Sequence, residues 1–196
     1  TFHRYGINRM NWRLGFTEAV VGTYTDLGSA ELGYFTPAAV LLETEINRGI
    51  NANLLWLIDG IYKWKNWTFY GEFLIDDFAL DGNSPPQVAA LLGIGKKINN
   101  ILLNFEYSRI NRWTGNHCDS NYVWAEQNVA MGHSMGSDAH QLLISSYLQI
   151  NKRISSDILV KLSEHGEGTA LERLHDWPDA VPCDINFGYR SEPFPS

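Results

Sequence analysis

From Met10 onward apolar and polar residues alternate one for one: Met10, Trp12, Leu14 and Phe16 interleave with Asn11, Arg13, Gly15 and Thr17. Successive side chains of an extended strand point to opposite faces, so this spacing predicts a strand with one apolar and one polar face. The pattern recurs. Phe69, Gly71, Phe73 and Ile75 alternate with Tyr70, Glu72, Leu74 and Asp76, and Leu103, Phe105 and Tyr107 alternate with Asn104, Glu106 and Ser108. Later, Ile158, Val160 and Leu162 alternate with Asp157, Leu159, Lys161 and Ser163. Stretches 54–62, 88–97 and 139–150 are apolar at both parities, which leaves their orientation open. About nine or ten strands are expected, in one all-β domain spanning residues 1–196.

The connections between these strands are of two alternating kinds. Short links, 63–66, 96–100 and 151–153, carry the Asn or charge that hairpin turns favour; long ones, 77–87, 111–138 and 165–182, are rich in Gly, Pro, Asn and Asp. In an up-and-down sheet successive connections fall on opposite ends, so the short turns are expected at one end and the long loops at the other. Charge sorts the same way. The short links hold Lys63, Lys65, Lys96, Lys97, Lys152 and Arg153 and no acid, whereas the long ones hold Asp77, Asp81, Asp119, Glu126 and Asp138 among others. Aromatic residues cluster near strand ends, with Tyr62, Trp64 and Trp67 flanking one short turn. Together these features predict an antiparallel up-and-down transmembrane β-barrel, with short turns in the periplasm and long loops outside. A soluble antiparallel sandwich shares the alternation and the hairpins and stands as the alternative.

Composition removes several other classes. Fifteen Lys and Arg against 22 Asp and Glu give a net charge of −7, the wrong sign for a nucleic-acid binder. The roughly 18 consecutive apolar residues that a membrane-spanning helix needs occur nowhere. No phosphate-binding loop, dinucleotide fingerprint or serine-nucleophile elbow is present, and no cofactor is expected. His117, Cys118 and Asp119 are consecutive, so they cannot readily converge on one ion, and no metal site is expected. Cys118 and Cys183 lie in long loops on one end and are candidates for a disulfide.

Several segments resemble the Wzi-type capsule-assembly family of bacterial outer-membrane proteins, in particular its Bacteroidetes-like branch. They are His3-Arg4-Tyr5 with the following Gly15-Phe16-Thr17-Glu18-Ala19-Val20; Tyr34-Phe35-Thr36-Pro37 with Glu43 or Glu45; Phe69 to Phe78 with its paired acids; and Met131-Gly132-His133-Ser134-Met135-Gly136-Ser137-Asp138-Ala139. Thr36 and Ser134 stand where the family has Asn and Pro. The resemblance covers roughly three quarters of the chain. It implies a non-enzymatic outer-membrane barrel, of which this chain is a segment incomplete at both ends, whose outer loops bind capsular polysaccharide and hold it to the cell surface. The partners implied are that polymer and outer-membrane lipid.

Within this frame the candidate polysaccharide-binding residues are Trp113, Tyr122, Trp124, Asp119, His133, Asp138, Asp76 and Asp77. Trp113, Tyr122 and Trp124 offer flat apolar rings among hydrogen-bonding groups, as a sugar ring requires; the alternative is that they pack the loop. Asp76 and Asp77 are adjacent at a strand end and point to opposite faces, so they cannot act as a glycosidase pair across one sugar. His133 and Asp138 are expected to hydrogen-bond and fix the loop, or else to contact a sugar hydroxyl, with Gly132 and Gly136 supplying unusual backbone angles. A porin-like diffusion channel and a soluble β-rich glycan-processing enzyme are the alternative functions.

Overall fold

The computed structural model describes residues 2–21, 53–76, 87–116, 123–126, 129–130, 132–166 and 168. These residues form ten strands: β1 Phe2–Asn8, β2 Trp12–Val21, β3 Asn53–Trp64, β4 Trp67–Asp76, β5 Val88–Ile98, β6 Ile101–Ile110, β7 Ala125–Glu126, β8 Val129–Ala130, β9 Ala139–Gln149 and β10 Ser155–His165. Eight of them make one antiparallel sheet in the order β1-β2-β3-β4-β5-β6-β9-β10, and the two-residue strands β7 and β8 pair with each other inside the connection between β6 and β9. The fold is therefore all-β and up-and-down, as the alternation predicts. Among the described residues the sheet is not closed, and β1 and β10 form its edges.

The links 9–11, 65–66, 99–100 and 150–154 all lie at one end of the sheet, and the long connections leave from the other. Lys65 and Asn99 take positive φ values of 54° and 51° to close their two-residue turns, a conformation that Asn tolerates better than most side chains. In the last turn, the Asn151 side-chain oxygen accepts from the Arg153 and Ile154 amides at 2.8 and 3.0 Å. Met10 departs from expectation: it sits in the turn between β1 and β2 and is 94% exposed, so the apolar face begins at Trp12.

Register gives the sheet its shape. A hydrogen-bonded row starting at Asn8, the last residue of β1, runs through Arg13, Ile61, Tyr70, Gly93, Glu106 and Leu143 to Lys161. Lys161 lies six residues into β10 from Ser155, the turn-end residue of that strand. The turn end thus climbs about 20 Å along the strands while crossing about 34 Å of sheet, a tilt of roughly 30° that approaches the value in closed barrels.

The same register sorts the side chains. One face carries Leu14, Phe16, Ile58, Phe69, Phe73, Ile94, Phe105, Ile144 and Val160 in adjoining rows; the other carries Arg4, Arg13, Asp59, Tyr70, Glu106, Asn104 and Ser145. The apolar face is the more exposed, with Leu92 at 67% and Ile158 at 62%. Polar side chains also stand on this face: Glu18, buried near the loop end of β2, accepts from the Trp56 indole at 3.1 Å, His140 Nε2 lies 3.2 Å from the Glu164 carboxylate, and Lys96 and Arg109 share the same parity.

Candidate functional site

On the polar face the side chains that could do chemistry fall into two groups. Towards the turn end, Arg4 donates through Nη2 to Asp59 Oδ1 at 2.8 Å, lies 2.7 Å from Oδ2, and donates through Nη1 to Thr17 at 2.9 Å. Arg13 approaches Asp59 only to 3.8 Å. Two cations on one carboxylate leave this corner with a net charge of +1. Gly15 makes the pairing possible, because a Cβ there would overlap both the Asp59 carboxylate and the Arg4 guanidinium. From the next strand, β4, the Tyr70 ring lies over Gly93 of β5, where a Cβ would meet it, and its hydroxyl donates to Glu106 at 2.9 Å. Asn104 donates to Ser145 at 3.3 Å. These bonds join strands side chain to side chain.

Towards the loop end the polar face is covered by chain. Asp76, at the end of β4, is fully buried and accepts from the Gly115 amide. With its amide nitrogen turned towards its acceptors, Gln87 donates to Asp76 Oδ2 and to the Trp113 carbonyl, each at 3.1 Å. Thr114 donates to the Val88 carbonyl at 2.9 Å, Asn53 donates to the Asn116 carbonyl at 3.4 Å, and the Trp124 amide donates to the Gly115 carbonyl at 2.8 Å. A carboxylate at a strand end thus anchors the Asn111–Asn116 turn, with Gly115 at φ +85° completing the bend. The expectation that Asp76 follows the polar face with Tyr70 and Glu72 holds.

Beneath this cover lies a cavity of about 350 Å³. Its floor includes Leu57, Leu74 and Leu91, and Trp124, His133 and Ser137 lie on its other side. Two hydroxyls that line it, those of Ser108 and Ser137, are buried and have no hydrogen-bond partner among the described residues. Apolar floor, an indole ring and a few unspent polar groups are the composition of a small-molecule site.

The candidate residues are distributed unevenly over this site. Trp113 is only 3% exposed, and the Arg112 guanidinium lies 5.1 Å from its ring centre. Trp124 is half-buried at the cavity. His133 and Asp138 do not bond to each other as expected: His133 Nδ1 accepts from the Met135 amide at 3.3 Å, while Asp138 accepts from the Gly168 amide at 2.9 Å and its carbonyl from the Gly166 amide at 2.7 Å. Each fixes a different stretch of backbone, because the turn closed by the Gly136 amide on the His133 carbonyl at 3.0 Å directs the imidazole back onto its own chain. Gly132 and Gly136 do adopt positive φ, 118° and 74°. Asp77, Asp119, Tyr122, Cys118 and Cys183 lie outside the described residues. Sequence reasoning missed Asp59, Arg4, Gln87 and Ser108; Asp59 alone carried a signal, a charge inside the apolar stretch 54–62. Among the described residues no group of three His, Cys, Asp or Glu side chains could hold a metal ion.

No family model, curated protein or solved structure matches the chain.

Proposed function

We propose that this chain forms part of the wall of a bacterial outer-membrane β-barrel that assists the assembly or surface attachment of capsular polysaccharide and catalyses no reaction. The observation that carries the membrane part is the exposed apolar face, on which Leu14, Phe69, Phe73, Leu92, Phe105 and Ile158 lie open strand after strand. Soluble monomers avoid a contiguous surface of this kind, and a bilayer covers it. Seven of the eight sheet strands are 10 to 12 residues long, enough for the roughly 9–11 residues that a tilted strand needs to cross the hydrocarbon layer. Backbone groups cannot stay unpaired in lipid, so β1 and β10 would both be paired in the complete barrel, with each other or with further strands.

The polysaccharide part rests on the segmental resemblance to the Wzi-type family, together with the loop-end cavity, where an indole ring and two unpartnered hydroxyls suit a sugar. A porin-like channel is the competing reading; the Asn111–Asn116 turn folded across the polar face speaks against an open lumen. The test is deletion of the gene. Polymer of unchanged chemistry and chain length should escape into the medium, and Trp124→Ala should reproduce part of that release. Shortened or altered polymer would favour a glycan enzyme, and unchanged retention with reduced uptake of small solutes would favour the channel. Recovery of the full-length protein as a detergent-free soluble monomer would sink the membrane reading altogether.

A further inference from the structure

We propose that the short-turn end of the sheet is a docking rim for acidic phospholipid headgroups, whose phosphates are held by lysines set against tryptophan rings at the hairpin tips. The proposal takes its setting from the membrane reading above and adds a lipid partner that polysaccharide attachment does not require. Residues 8–13, 62–69, 95–103 and 147–156, which make the four turns and the strand ends flanking them, contain eight Lys or Arg and no Asp or Glu, in a chain whose net charge is −7. The topology gathers them on one edge and the backbone ties neighbouring turns together: the Lys63 amide donates to the Asn11 carbonyl at 2.7 Å, Lys97 to Asn66 at 2.9 Å and Gln149 to Asn100 at 3.0 Å.

Two of the cations are seated on rings. Lys96 Nζ lies 4.3 Å from the Trp67 ring centre, and Lys65 Nζ lies 5.1 Å from that of Trp64. Lys96 is in register with Trp67 and therefore stands on the apolar face, the side a bilayer would cover. Tyr62, Phe69 and Trp67 stack beside it, with centroids 6.4 and 6.3 Å apart. Amphipathic rings prefer the level of the headgroups, and a lysine beside them extends its ammonium to the same level. The anion available there is a phosphodiester. A polymer or protein approaching along the polar face would not reach Lys96, which is why the geometry favours lipid.

The experiment uses the full-length protein inserted into nanodiscs of phosphatidylcholine and of an equimolar mixture with phosphatidylglycerol, then extracted and weighed with its retained lipids by native mass spectrometry. From the mixture, phosphatidylglycerol should be retained about tenfold over phosphatidylcholine, and the preference should shrink at high salt. The triple variant Lys65→Gln, Lys96→Gln, Arg153→Gln should lower that preference to under about twofold, and Lys161→Gln, in mid-strand, should leave it. Because the triple variant could misfold, Lys96→Gln alone, which spares every turn, provides a second reading and should lose about threefold. Insertion with equal retention of both lipids, or a preference that survives the triple substitution, overturns the rim alone. Failure to insert into either disc overturns the membrane reading with it. Displacement of phosphatidylglycerol by soluble polyglutamate at equal charge would reassign the rim to polyanions and also overturn the proposal.

Discussion

Asp59 and Asp76 are both buried carboxylates on one face of one sheet, and their surroundings differ in kind. Asp59 meets guanidinium groups from β1 and β2, held by side chains that remain partly open to water. Asp76 meets a backbone amide and a carboxamide from connecting segments, and water does not reach it. The first arrangement joins strands to one another and leaves a surplus positive charge; the second joins a loop to the wall. The polar face therefore has a structural half near the turns and a covered, cavity-bearing half near the loops.

The sharpest way to break this contrast is Asp76→Ala. The Gly115 amide and the Gln87 carboxamide would lose a buried acceptor, which costs about 2–3 kcal/mol. The loss should be local: hydrogen exchange at 111–116 should quicken and a quencher should reach Trp113, while the rest of the sheet stays protected. Uniform loss of protection instead would mean that Asp76 supports the sheet as well.

Gly93→Ala tests the turn half and should cost roughly 1–2 kcal/mol, because the new methyl group meets the Tyr70 ring. Tyr70→Leu in the same chain should restore part of that loss in a urea titration of the detergent-bound protein. An unchanged midpoint for Gly93→Ala alone would show that Tyr70 moves aside freely. Asp59→Ala should cost less, about 1 kcal/mol, since Arg4 and Arg13 are exposed enough to be solvated once the acid is gone. Its cycle with Arg4→Ala should show coupling of about the same size, and exchange at 111–116 should not change.

How much of this could be read in the sequence depends on whether period-two alternation held the information. Trp12, Leu14 and Phe16, and Phe69 through Asp76, are polarised, so strand and facing follow from spacing alone. Stretch 54–62 is apolar at both parities, since Leu55 and Leu57 on the polar face line the loop-end cavity, the first buried and the second half-buried, for a reason that comes from distant chain. Asp59 could not be paired with Arg4 without the register. Met10 continued the alternation past the strand end because a turn residue in an exposed link faces no constraint on polarity. Trp113 and Trp124 have identical chemistry and lie in one connection; the first is buried in the turn that Asp76 and Gln87 hold, and the second lies at the cavity. His133 and Asp138 each hold backbone but not each other, because the local turn, closed by the Gly136 amide on the His133 carbonyl, turns the two side chains to separate stretches.

The smallest expected effect separates the two halves by purpose. Ser108 lines the cavity with its hydroxyl buried and without a partner among the described residues. In a purely structural wall such a group is a cost, because a hydroxyl gives up water without replacing the hydrogen bond. Ser108→Ala should therefore leave stability unchanged or raise it by about 0.5 kcal/mol, measured in the same urea titration. If the cavity holds a sugar of the polymer, the same variant should release more polysaccharide into the medium despite its intact fold. A more stable protein with weaker retention is the outcome that a ligand site predicts; loss of stability would mean that the hydroxyl already serves the wall, and the functional boundary between the halves would have to be redrawn.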